Sequence, residues 1–169
     1  MKEIFCFLCF LFLFISFVEN NKINILVIDI DLIIKKNDSI QVFYRTDNSV
    51  AFTEKQSFWN TVKGNPKNQT IQIVFPKSIK PKQIRIDLGR NVKNKEIVLN
   101  KIGIFYSNSH FEAKGDAIYK LFRIDPTSST LDKMSGTLKR KNPDQINGSS
   151  LYPNGNNLFN KLNKIYTKE

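Results

Sequence analysis

The chain has 169 residues, enough for one domain with its own hydrophobic core and not comfortably enough for two. Hydrophobic residues make up 41% of it, an ordinary globular value that excludes general disorder. The formal net charge is +11, but Lys and Arg are scattered from Lys22 to Lys168. That spread argues against a nucleic-acid partner, which needs its cations on one face.

Diffuse positive charge instead gives solubility and a weak attraction to anionic surfaces, including lipid head groups and acidic glycans. Both cysteines, Cys6 and Cys9, lie in the N-terminal apolar run, so the domain after it has neither a disulfide nor a thiolate metal site.

Residues Ile4 to Val18 are uncharged and almost wholly apolar. As a helix this run would be about 22 Å long, shorter than the roughly 30 Å hydrocarbon core of a bilayer. The length suits a signal peptide or a short membrane anchor over residues 1–20. Contact with the membrane is expected through residues 4–18, with the rest exported to the periplasm or the cell surface.

Lys22 to Ile34 is rich in β-branched residues and predicts a long strand, with Asp29 and Asp31 on one side of it. Ile40 to Arg45 predicts a second strand. Ala51 to Asn65 is polar with isolated aromatics, Phe52, Phe58 and Trp59, and reads as a loop that ends in the turn signal Asn65-Pro66.

Ile71 to Phe75 is the third clear strand, and Gln83 to Leu88 is the most regular. In it Ile84, Ile86 and Leu88 alternate with Arg85 and Asp87, giving one apolar face and one charged face before Gly89 turns the chain. Glu96–Leu99 and Lys101–Tyr106 follow as further strand segments, and Ala117 to Ile124 as a last one. Residues 126–169 read as a polar loop region closed by a short helix, in which Leu158, Leu162 and Ile165 share a face and Asn156 or Asn157 supplies a cap.

Short strands separated by polar turns, with no long helix between them, predict a mainly β domain over residues 22–125. The expected fold is an antiparallel β-sandwich or jelly roll with an N-terminal apolar helix and a short C-terminal helix.

The stretches Gln41-Val-Phe-Tyr-Arg45, Phe52-Thr-Glu54, Ile84-Arg-Ile-Asp-Leu-Gly89 and Ile97 to Ile104 come in an order that resembles a known type of domain. It is the β-sandwich ectodomain of bacterial membrane proteins of cell-surface polysaccharide assembly, such as capsule- and rhamnan-synthesis-type glycosyltransferases. The resemblance spans roughly Ile23 to Ile124. It implies an exported module associated with sugars or with an assembly. It carries over no transferase activity, because the chain has no catalytic domain of that kind.

The residues that could hold a ligand are Trp59, Tyr44, Arg85 and Asp87. Sugars stack their C–H faces on aromatic rings, so Trp59 and Tyr44 are candidates, although either ring could equally fill the core. Arg85 and Asp87 lie on one strand face and could grip hydroxyls or pair with neighbouring charges. His110 is the only histidine, and no nucleophile motif, phosphate loop or metal-ligand spacing surrounds it. The expectation is a non-enzymatic module without cofactor or metal that binds glycan or a membrane-associated partner protein. The competing expectations are a purely structural interaction domain and a small hydrolase using Asp29, Asp31 or Glu54.

Overall fold

The computed structural model describes residues 24–167, so the apolar run Ile4–Val18 and any helix in it lie outside the described residues. The elements are β1 (Leu26–Ile34), β2 (Asp38–Arg45), β3 (Ser57–Val62), β4 (Asn65–Val74), β5 (Gln83–Leu88), β6 (Glu96–Tyr106) and β7 (Ser109–Lys114), then α1 (Asp116–Leu121). They continue with β8 (Phe122–Ile124), β9 (Ser129–Asp132), β10 (Thr137–Arg140), β11 (Ser149–Pro153) and α2 (Asn157–Tyr166).

The strands form two antiparallel sheets. The first has the order β4-β1-β6-β10-β9, with β7 also paired to β6, and the second has the order β3-β2-β5-β11-β8. Alternation decides which residues the two sheets share. In β1, Leu26, Ile28, Ile30, Leu32 and Ile34 point inward and are buried, and Ile84, Ile86 and Leu88 of β5 do the same from the second sheet. Both sets belong to one apolar cluster. Each such side chain contributes about 1.5–3 kcal/mol relative to exposure. Asp29 and Asp31 fall on the outer face of the first sheet, as their spacing predicts. There Gln72 donates to Asp29 at 3.2 Å and Thr70 donates to Asp31 at 2.7 Å.

The structure departs from the sequence reading in five places. The Asn65-Pro66 turn signal lies inside β4, which begins at Asn65 opposite Ile34. Glu96 to Tyr106 is one strand rather than two. Its pairing with β1 slips between Asp31↔Lys101 and Leu32↔Leu99, leaving Asn100 as an extra residue. This bulge moves the buried set from Ile97 and Leu99 to Ile102 and Ile104, so the alternation breaks while the strand does not. Trp59 lies on the edge strand β3 and not in a loop; Asn60 takes an inward position there and hides the apolar alternation.

Residues Asp116–Leu121 are helical rather than extended, because Ile118 and Leu121, three apart, are the positions that reach the core. Finally, the region after residue 126 carries three strands, and β11 is an interior strand of the second sheet. Its inward residues include Ser149, which conceals the pattern; Ser129 Oγ donates to Ser149 Oγ at 2.9 Å, a buried bond between the two sheets. The two-sheet body therefore runs on to Pro153, past the boundary expected at residue 125.

The short C-terminal helix forms as predicted and packs. Leu158, Leu162 and Ile165 are buried, and Tyr166 meets Tyr106 edge-on at 4.9 Å. Asn156 occupies the N-cap position, but its side chain makes no capping bond. Among the described residues no helix is long and apolar enough to cross a membrane.

Candidate functional site: a groove on the outer face of the second sheet

The outward positions of β3, β2, β5 and β11 follow from strand register. One row across the sheet is Trp59, Gln41, Asp87 and Ser150, linked as direct partners Gln41↔Trp59, Gln41↔Asp87 and Ser150↔Asp87. The adjacent row is Phe43, Arg85, Tyr152 and Arg123, with Phe43↔Arg85 and Tyr152↔Arg123 as direct partners. Because β5 lies between β2 and β11, the Arg85 guanidinium sits between two rings, 4.6 Å from the centre of Phe43 and 4.5 Å from that of Tyr152. Arg123 reaches Tyr152 from β8 at 4.9 Å. Aromatic rings and guanidiniums thus alternate across four strands, an arrangement in which each cation is held by the faces of its neighbours.

The connection between β2 and β3 folds back over these rows. Phe52 from this loop meets Tyr152 edge-on at 6.4 Å, and Arg45 stacks on Phe52 at 4.7 Å. Glu54 accepts from Gln41 Nε2 at 2.6 Å, and Ser57 Oγ accepts from the same nitrogen at 3.0 Å. With this cover Gln41 is only 5% exposed and Phe43 4%, although both face away from the core.

Phe52 and Arg85 border two adjoining, solvent-open depressions. One, of about 540 Å³, is lined by Arg45, Arg85, Arg123 and Tyr152 among others. Its neighbour, of about 490 Å³, is lined by Trp59, Glu54, Asp87 and Arg90 among others. Trp59 is 46% exposed, with Arg90 stacked on it at 5.3 Å. Together they form one groove with aromatic sides and a floor of paired polar groups.

Arg90 is positioned by its turn. The Asp38 carboxylate accepts the backbone N–H of Arg90 at 2.6 Å and of Asn91 at 2.9 Å, and the buried Asn94 donates to it at 2.8 Å. Arg85 binds Asp87 bidentately, through Nε at 2.8 Å and Nη2 at 2.5 Å. Burial lowers the Arg45 pKa from its usual value, while Asp47 pulls the other way. Hydrogen bonds from the Thr127 hydroxyl and backbone hold the Asp125 carboxyl below the usual carboxylate range, with Arg123 and Arg85 adding to the effect.

Of the residues singled out from sequence, the structure brings Trp59, Arg85 and Asp87 to this groove and leaves Tyr44 out. Tyr44 is on the inward side of β2, packed against Phe75 at 5.8 Å and Phe58 at 6.5 Å. Sequence reasoning did not single out Gln41, Phe43, Arg45, Phe52, Arg90, Arg123 or Tyr152. The first three were legible: period two puts them opposite Ile40, Val42 and Tyr44. Tyr152 was not, because its strand lies in the region read as loop. Among the described residues no group of three or more His, Cys, Asp or Glu is placed to hold a metal ion. Comparison of the chain with protein-family models, with curated proteins and with solved structures finds no match.

Proposed function

We propose that this protein is a non-catalytic β-sandwich module, exported or membrane-anchored through residues 4–18, that holds a glycan in the groove over its second sheet. The observation that carries the reading is the run of rings and hydrogen-bonding groups along that groove: Trp59, 46% exposed, and Phe52 offer ring surface beside their stacked arginines for sugar C–H groups, and Glu54, Asp87 and Arg90 offer partners for hydroxyls. The way the chain passes repeatedly between the two sheets is in keeping with a jelly roll. The resemblance to ectodomains of envelope polysaccharide assembly supports a role in handling such polymers rather than making them.

The carboxylates of the groove favour binding over chemistry. Asp87 has both oxygens engaged by Arg85, and Glu54 accepts from Gln41 and Ser57. Asp29 and Asp31 lie on the other sheet, away from Glu54. A membrane-associated protein partner is the competing occupant. Of the exposed aliphatic side chains Val50, Val74, Val92, Met134 and Ile146, only Val50 lines the groove, which favours the glycan.

The test is a glycan array probed with the full chain in non-ionic detergent. Retention of a glycan, reduced at least about tenfold by Trp59→Ala and by Phe52→Ala at unchanged unfolding midpoint, supports the reading. A blank array sinks it. Cell fractionation with N-terminal sequencing tests the location; recovery in the cytosol with Met1 intact and no membrane attachment would end the export proposal.

A further inference from the structure

The two halves of the groove differ in charge. The larger depression has Arg45, Arg85 and Arg123 among its lining residues and no carboxylate. Its neighbour has Glu54 and Asp87 alongside Arg85 and Arg90. A groove for neutral sugars has no need of one end without an acid.

The guanidiniums at that end are also held in an unusual way. Arg85 is held by Asp87 through Nε and Nη2, so it serves first as an anchor. Arg45 and Arg123 are instead fixed by stacking, on Phe52 at 4.7 Å and on Tyr152 at 4.9 Å. Among the described residues, neither side chain donates a hydrogen bond or forms an ion pair. Asp47 attracts Arg45 and Asp125 attracts Arg123, each from beyond ion-pair contact. Stacking occupies the face of a guanidinium and leaves the N–H edge for an acceptor; in Arg45, whose Nε is buried, that edge is the one between the two terminal nitrogens. That edge matches an anion presenting two oxygens side by side.

We propose that this half of the groove binds the acidic group of a charged saccharide, the carboxylate of a uronic acid or a sulfate ester, with Arg45 and Arg123 as the pair that reads it. The sugar ring then lies toward Phe52, and Glu54 and Asp87 in the other half retain acceptor capacity for its hydroxyls. This assignment rests on the glycan reading above and narrows it to acidic glycans.

The experiment titrates the full chain, in non-ionic detergent, with an oligogalacturonate, with its neutral methyl ester, with a sulfated oligosaccharide, and with a short DNA duplex as a polyanion control. One of the acidic sugars binds at least about tenfold more tightly than the ester, and Arg45→Gln and Arg123→Gln each weaken it at least about tenfold. The carboxylate and sulfate arms decide which anion is read. Arg123→Lys keeps the charge but not the fork, and recovers only part of the loss. Arg123 is exposed, so its variants fold; Trp59 emission checks Arg45→Gln. Lys133→Gln combined with Lys139→Gln removes two charges from the β9–β10 hairpin of the other sheet and leaves affinity unchanged.

Equal affinity for acid and ester, with no effect of the Arg variants, overturns the acidic class and leaves glycan binding standing. DNA binding as tight as the acidic sugar, weakened equally by the lysine pair, overturns it in favour of diffuse charge. A parent chain that binds none of these sugars, and that also gives a blank array, removes the glycan reading itself.

Discussion

Gly148 is the position where one added methyl group should do most damage. It enters β11, and its N–H donates to the Gly89 carbonyl at 2.7 Å. A Cβ built on Gly148 would stand 1.8 Å from the Leu88 carbonyl oxygen and 2.5 Å from that of Gly89. Real Cβ atoms essentially never come within 3.0 Å of such a neighbour, so Gly148→Ala must push β11 away from β5 by more than 1 Å. The obstacle is backbone, which has no rotamer to yield. Overpacking of this kind costs about 1–3 kcal/mol. The shift also strains the ladder Ser149↔Leu88, Ser150↔Asp87 and Leu151↔Ile86, whose bonds are worth about 1 kcal/mol each.

The expected loss is therefore about 3–5 kcal/mol, a large part of the roughly 5–15 kcal/mol that holds a domain folded. Gly155→Ala is the matched control. It meets nothing within 4 Å, and only its φ of +57° opposes a side chain, so it should cost about 1–2 kcal/mol. Urea unfolding followed by emission of Trp59, the single tryptophan, measures both. Hydrogen exchange should rise in β5 and β11 of Gly148→Ala before it rises in β1. A Gly148→Ala variant no less stable than Gly155→Ala would refute the close packing of β11 on β5.

Arg140 ties two loops together by donating to the carbonyls of Asn91, Asn94, Gln145 and Ile146. Arg140→Ala should lose about 2–4 kcal/mol by the same unfolding assay, and Arg140→Lys should recover less than half, since an ammonium cannot span the fork; full recovery with Lys would contradict this. Two tyrosines should respond oppositely to loss of their hydroxyl. Tyr166 Oη donates to the Pro81 carbonyl at 3.1 Å, so Tyr166→Phe should cost about 1 kcal/mol. Tyr119 Oη is buried with no partner among the described residues, so Tyr119→Phe should be neutral or stabilising. Burial, with Asp116 adding, pushes the Tyr119 pKa up to about 12. Stability is then fully present below the unfolded value of about 10 and falls as pH rises through the folded one, a loss that unfolding curves of Tyr119→Phe should show reduced.

The sequence alone determined the strands whose inward residues are all apolar. Leu26 to Ile34 and Gln83 to Leu88 could be read residue by residue, because alternation is a property of neighbouring residues and survives without knowledge of any partner. It also placed Trp59, Arg85 and Asp87 among the candidates. Three things were decided only by the tertiary structure. The bulge at Asn100 keeps one strand continuous through a break in pattern, since pairing with β1 and not periodicity holds it together. The strands β9 and β11 bury Ser129 and Ser149 because the two hydroxyls satisfy each other, and no local pattern announces a hydroxyl that will find its partner across two sheets. The groove itself depends on which strands lie side by side. Phe43, Arg85, Tyr152 and Arg123 are far apart in the chain and become neighbours only through the order β2-β5-β11-β8. Strand order is set by burial of the shared core, a property of the whole chain that no single stretch contains.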